Sequence, residues 1–320
     1  MKRWRCWLAG HAIDIELSPE LAHLADAFAC APSDDGEPAG LRFTVRVDQD
    51  HVDSALKVVS SAAWHQRQGE AHLWLATEPR HVQSLVPGST TGHAPALGTL
   101  ILDRAEGIDG SLRARPGVEV ISAWAASLGI LPAHASGIAI DGRAIILIGD
   151  SGSGKTTTAL ALAERGWDLV SDDRCFILRD GAKVKVASLY PTTVVTTNSL
   201  ARLAARDWHD LGRTHHGKHA RRLPSGMMVA GLTELAGVVW VSPSARLLYT
   251  PEQMNRRDAL VPWQSALAPA LQAHGPSRNW VRSLADLSGA VPTWRMGLDW
   301  NFDRIDAALR DLVGTSVPAQ

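Results

Sequence analysis

Apolar and polar side chains alternate over Leu41-Arg-Phe-Thr-Val-Arg-Val47, the period-two pattern of a strand with one buried face. Ala71-His-Leu-Trp-Leu-Ala76 predicts another strand. Ser18-Pro-Glu-Leu21 opens a short helix, with a cap residue, a proline at the first helical position and an early acid. Segments 31–40 and 87–98 are rich in turn residues and are expected as loops. Helical spacing returns over 118–130. Two apolar runs follow, Gly137-Ile-Ala-Ile140 and Ala144-Ile-Ile-Leu-Ile148, on either side of Asp141-Gly142, a pair suited to a tight hairpin turn.

After this hairpin the pattern alternates between helix and strand. A helix is expected over 156–164 with Gly166 as its stop, then a buried strand over 167–170 closed by Ser171-Asp172-Asp173. A second hairpin joins 175–178 to 184–187 through Asp180-Gly181. Residues 198–224 carry a helix and a basic stretch, and 236–241 is another buried strand. From about residue 258 the chain reads as helical, closing with 302–313, where Ile305, Leu309 and Leu312 share one face. No repeat or low-complexity segment interrupts this order. The expected architecture is α/β: a nucleotide-binding domain over 121–320, preceded by a smaller α+β domain over 1–120.

Composition narrows the class. The 320 residues are 45% hydrophobic and 20% charged, the balance of a globular protein able to bury a core. The net charge of −1 gives no electrostatic reason to expect a nucleic-acid or membrane partner. Cys6, Cys30 and Cys175 are few and scattered, which suits a reducing compartment rather than a disulfide framework. Asp14 and Glu16 interrupt any signal-like apolar run near the start, so a cytoplasmic location is expected. Twelve tryptophans are spread along the chain, as core and interface residues would be.

The strongest chemical signal is Gly149-Asp-Ser-Gly-Ser-Gly-Lys-Thr156, followed by Thr157. It fits the G-x-x-x-x-G-K-[ST] pattern, and an apolar strand leads in while a helix leads out. Glycines let Gly149, Asp150, Ser151, Gly152, Ser153 and Gly154 wrap a polyphosphate with backbone N–H groups, and the helix start adds the positive end of its dipole. Lys155 would reach the outer phosphates, and the Thr156 hydroxyl would ligate Mg²⁺. The acids come at Asp172 and Asp173, after the strand that follows the loop helix. A solvated turn is the competing reading for this pair.

The ordered set His134-Ala-Ser-Gly137, Gly149–Thr156, Glu164-Arg165-Gly166 and Ser171-Asp172-Asp173 resembles the bacterial HPr kinase/phosphorylase family. That resemblance implies kinship in fold with phosphoenolpyruvate carboxykinase, and ATP with Mg²⁺ as cofactors. It makes Asp172 the base that accepts the proton of an attacking hydroxyl, Asp173 a residue orienting the metal or the base, and His134 a neighbour of the reacting centre. For His134 a packed or surface histidine competes with the catalytic role.

The family's later Glu-Ile-Arg-Gly-x-Gly signature is absent, so a second metal ligand is unassigned. In its place, Arg221-Arg222-Leu223-Pro224 looks like the basic patch of HPr-kinase-related proteins encoded beside ribosomally made peptides, lasso peptides among them. Arg221 or Arg222 would offset transition-state charge, against the alternative of a solvated basic face. His215-His216-x-x-His219 has zinc-like spacing but no supporting ligand set.

The resulting expectation is transfer of the γ-phosphoryl group of ATP to a Ser or Thr hydroxyl on a peptide or small protein, with 1–120 as a candidate acceptor-recognition module. A small-metabolite kinase and a nucleotide-gated binding protein are the rivals. The oligomeric state is open, and a homo-oligomer fits as well as a monomer.

Overall fold

A computed structural model of the chain describes residues 1–28, 31–32, 38–57, 59, 63–68, 71–88, 94–204, 208–229, 231–241, 250–274 and 278–315. They form two compact units, and each unit is discontinuous in sequence. The first comprises 1–128, 189–196 and 209–222; the second comprises 129–188, 197–208 and 223–320. The boundary expected at 120 therefore moves. Val118–Ser127 completes the first unit as a helix whose Val120, Ile121 and Trp124 are buried. Two later segments also return to that unit.

An eight-stranded mixed sheet dominates the first unit. Lys2–Leu8 and His11–Leu17 form an antiparallel pair, and His11–Leu17, Leu41–Val47 and Ala96–Leu102 run parallel side by side. Arg80–Val86, Ala71–Thr77 and Ala63–Gln68 extend the sheet antiparallel to its edge. Leu41, Phe43 and Val45 are fully buried while Arg42 and Arg46 are exposed, the alternation expected of this strand. Pro19–Ala27 is a 3-10 helix. The loop expected at 87–98 ends early, because Ala96 begins a strand with Gly98 packed under Phe43 and Val120. Residues 89–93 lie outside the described ones.

A three-stranded sheet belongs to the same unit, in the order Thr192–Val195, His219–Arg222, His209–Arg213. The helix Gly110–Ala114 covers it through Ala114, Leu211 and Ala220. The basic stretch expected in 198–224 is thus largely a hairpin, turning at Thr214–Gly217, rather than an open basic face.

The second unit is built around the strand Arg143–Gly149. It pairs antiparallel with Ser136–Ile140 through a turn in which Asp141 and Gly142 have φ of 52° and 74°, the conformation their sequence favours. On its other side it runs parallel to Thr233–Val241, which in turn runs parallel to Thr293–Met296. Asp168–Ser171 adds beyond Ser136–Ile140, and Cys175–Asp180 pairs with Lys183–Ala187. Ile146 and Ile148 join a core that includes Trp263, Ala266 and Leu267 from the helices Arg256–Ala266 and beyond. Ile145 and Leu147, on the opposite strand face, are equally buried. The region after 258 is not all helix: Thr293–Met296 is a strand inserted before the terminal helix Phe302–Thr315. Ile305, Leu309 and Leu312 of that helix are buried, as expected.

Candidate functional site

The strand Arg143–Gly149 delivers the chain into the glycine-rich loop at the carboxyl end of the parallel strands, where open α/β sheets place their ligands. Gly149 has φ +146°, and a Cβ there would stand 2.4 Å from the Val241 carbonyl oxygen of the neighbouring strand. Only glycine fits this close approach. Gly152 and Gly154 also hold positive φ, 80° and 100°, so the loop curls back on itself, with the Ser153 N–H donating to the Asp150 carbonyl at 3.2 Å. Gly154 then caps the helix Lys155–Ala163, and Thr158 N–H makes the first bond back to Gly154 O. The leading N–H groups of such a helix have no acceptor within it and face whatever lies in the loop.

Two observations mark this loop as a cradle for an oxyanion. Ser153 Oγ is buried without a hydrogen-bond partner, which is costly unless a polar group meets it. Lys155 is a nearly buried cation (6% exposed) whose Nζ donates to the carbonyl oxygens of Gly149 and Asp150 at 2.8 and 2.9 Å. The ammonium is thus held against the backbone of the loop. Asp150, Ser151 and Gly152 line the rim, with Asp150 and Ser151 exposed.

The acids lie across from the loop helix. Asp168–Ser171 ends at Asp172, which is 2% exposed and accepts from Thr156 Oγ1 at 2.7 Å and from the buried Ser136 Oγ at 2.9 Å. Asp173 occupies the left-handed region at φ +68°, a conformation that costs energy for a non-glycine residue and turns its side chain out of the strand. Its carboxylate pairs with His134 Nδ1 at 3.1 Å. Both partners are about a third exposed. His134 itself is anchored by its N–H to Ala266 O at 2.7 Å.

Thr157, the last expected loop contact, is hydrogen-bonded through its hydroxyl to Ser199 Oγ at 2.7 Å. Beneath the pair, Cys175 is fully buried. Burial, with the Asp172 charge beside it, pushes its thiol far above the usual range.

His134, the 149–157 loop, Asp172 and Asp173 thus belong to one constellation in the second unit. Arg221 and Arg222 belong to the first unit instead, where Arg221 pairs with Asp210, and Arg222 with Asp26 at 3.2 Å. The rings of His215 and His216 meet at a tilt of 44° in that unit, and among the described residues no group of three or more His, Cys, Asp or Glu side chains is arranged to hold a metal by itself. Sequence reasoning passed over Ser136 and Ser199. Ser136 was visible inside the quoted His134–Gly137 run, whereas Ser199 had no signal, because it comes from a short helix 42 residues beyond its partner. Among the described residues no helix is long and apolar enough to cross a membrane.

Residues 111–203, a span that includes the loop and the acidic pair, match the protein family described as SynChlorMet cassette protein ScmC. A 55-residue stretch is 47% identical to an HPr kinase/phosphorylase of Prosthecochloris aestuarii and 46% identical to one of Chlorobium phaeobacteroides. Each match covers 17% of this chain and 16% of the relative, about a sixth of its length. The solved HPr(Ser) kinase/phosphatase of Coxiella burnetii aligns over 56% of this chain and 94% of its own, at 15% identity and a TM-score of 0.30. Over 55 residues, then, the chain is similar to the HPr kinase/phosphorylases, and over 111–203 to the family described as a SynChlorMet cassette protein.

Proposed function

We propose that the chain is an ATP-dependent phosphotransferase that moves the γ-phosphoryl group to a hydroxyl on a peptide or small protein. The observation that carries this reading is the pairing of Thr156 with Asp172 beside a glycine-rich loop that holds the buried Ser153 hydroxyl and the Lys155 ammonium. The donor set fits the group it would hold. Backbone N–H groups and a lysine suit polyphosphate oxygens. A hydroxyl and a carboxylate suit Mg²⁺, which takes one or two protein oxygens and completes its shell with water and phosphate. Bound MgATP supplies the transferable phosphoryl group, with charge on its oxygens drawn down by the metal.

The geometry favours exchanging the roles that the sequence suggested for the two acids. Asp172 is buried and already bonded to the metal-side hydroxyl, so its part is to orient Thr156 and face the metal. Asp173 is the more exposed carboxylate, turned out at the strand end, with His134 fixing it. Asp173 therefore accepts the proton of the acceptor hydroxyl as its oxygen attacks phosphorus and the bond to the leaving ADP oxygen breaks. His134 holds that carboxylate in place. Lys155 offsets charge on the phosphates. Arg221 and Arg222 are each paired with a carboxylate of their own unit, so this scheme assigns them no step.

The matching family is described as a cassette protein, and the peptide acceptor is the part of this reading that the experiment must decide. The test is intact-mass analysis of candidate acceptor peptides incubated with the protein, ATP and Mg²⁺. A gain of one phosphate that requires all three supports the reading, and ATP turnover without any phosphorylated acceptor would overturn it.

A further inference from the structure

The parallel strands Arg143–Gly149, Thr233–Val241 and Thr293–Met296 end on the same edge of one sheet, so the segment leaving Met296 emerges beside the phosphate loop. Leu298 makes the contact: its Cδ1 lies 3.6 Å from where Gly154 would carry a Cβ. Four residues later Phe302 lies under the Arg165 guanidinium, just past the far end of the loop helix. Trp300 sits between these two anchors. Among tryptophans of the second unit with described side chains, it alone is exposed (49%).

Its surroundings form a platform. The Arg202 guanidinium stacks over the indole at 4.0 Å, and the Phe302 ring meets the indole edge-on at 5.9 Å and 84°. Arg202 is tied to the same site from the other side, because its N–H bonds to Ser199 O and the Ser199 hydroxyl bonds to Thr157. Thr157 follows Thr156 in the first turn of the loop helix. An exposed indole capped by a planar cation gives up apolar surface to water for no gain within the fold. It is the arrangement that receives a flat heteroaromatic ring.

We propose that Trp300 and Arg202 form the stacking subsite for the base of the bound nucleoside triphosphate. This rests on the phosphate-loop reading above and extends it from the phosphates to the base. Stacking on an indole face is indifferent to base identity, so the subsite accepts purines without strong choice between adenine and guanine.

Calorimetric titration of the full chain with MgATP, MgGTP and magnesium tripolyphosphate tests it. ATP and GTP should bind within a few-fold of each other, and both more tightly than tripolyphosphate. Trp300→Ala should weaken both nucleotides by about tenfold or more while leaving tripolyphosphate unchanged. Trp300→Phe should restore most of the loss, and Arg202→Ala should reproduce part of it. Unchanged ATP affinity in Trp300→Ala, or equal losses for ATP and tripolyphosphate, overturns the subsite. Wild-type protein that binds tripolyphosphate as tightly as ATP also overturns it, while leaving the phosphate loop intact. Wild-type protein that binds neither removes both readings.

Discussion

Thr156 donates its hydroxyl proton to Asp172 at 2.7 Å, linking the first turn of the loop helix to the end of the strand that follows it. Asp172 is held from behind by Ser136 as well, so its carboxylate has one orientation. A metal-side role predicts a specific phenotype. Asp172→Asn should bind nucleotide in the absence of Mg²⁺ about as well as wild type, yet lose about 10- to 100-fold of the gain that Mg²⁺ confers. Binding titrations with and without Mg²⁺ read this out. An intact Mg²⁺ response in Asp172→Asn would remove Asp172 from the metal site.

Asp173 should behave differently. Asparagine is tolerated in the left-handed region that Asp173 occupies, so Asp173→Asn removes the charge and keeps the backbone. MgATP affinity should hold while phosphoryl transfer falls about 10²- to 10⁴-fold, as expected on loss of a general base. His134→Ala should cost less, because it loosens the carboxylate without removing it. Single-turnover transfer to an acceptor peptide separates these outcomes. If Asp173→Asn transfers at the wild-type rate and Asp172→Asn does not, the roles return to the order that the sequence suggested.

The contrast between these acids shows what the sequence made legible. Adjacent aspartates after a short strand announce a pair, but the alternation of a strand end does not say which one points inward. That depends on the positive φ at Asp173 and on Ser136, a small polar residue with no pattern of its own. The loop was readable because its glycines answer local backbone demands. The hairpin at 209–222 was not, since its polar strands satisfy their hydrogen bonds within a sheet that their composition disguises. Thr293–Met296 was hidden for a related reason. Four residues between helices gain strand character only from pairing with Thr233–Val241 across the core.

Trp263 tests the core that supports the site. Its side chain is fully buried, and its indole N–H donates to Thr293 Oγ1 at 3.0 Å, joining the helix Arg256–Ala266 to that late strand. Trp263→Ala should destabilise the fold by about 3–5 kcal/mol. Trp263→Phe should cost less, since it keeps much of the volume and loses the hydrogen bond. Chemical denaturation of both variants measures the difference, and near-wild-type stability in Trp263→Ala would contradict this account of the core.

Cys175 lies directly under the acidic pair, yet it should be inert. Burial raises its thiol pKa, and the Asp172 charge raises it further, so the nucleophilic thiolate is scarce throughout the neutral range. Alkylation of the folded protein at pH 8, followed by peptide mapping, should leave Cys175 unmodified, and labelling should appear only after denaturation. Rapid labelling of the native protein would mean that the floor of the site opens to solvent.

Gly149→Ala joins backbone and function most directly. Two costs fall on the same atom. The φ of +146° is one that an L-residue adopts only with strain of about 1–3 kcal/mol, and the added Cβ would stand 2.4 Å from the Val241 carbonyl oxygen. Backbone faces that methyl, so no side-chain rotation relieves the contact. Relief must come from separating the strand ends of Arg143–Gly149 and Thr233–Val241 or from shifting the loop. Either movement carries the Gly149 carbonyl away from the Lys155 ammonium, to which it is bonded at 2.8 Å. Gly149→Ala should therefore lower stability and weaken tripolyphosphate binding together, whereas Gly166→Ala, at φ +89° with open space around it, should lower stability alone. Calorimetry on the two variants, read beside their unfolding curves, separates loop geometry from general strain. Equal phosphate affinity in both would break the link between this backbone contact and the cradle.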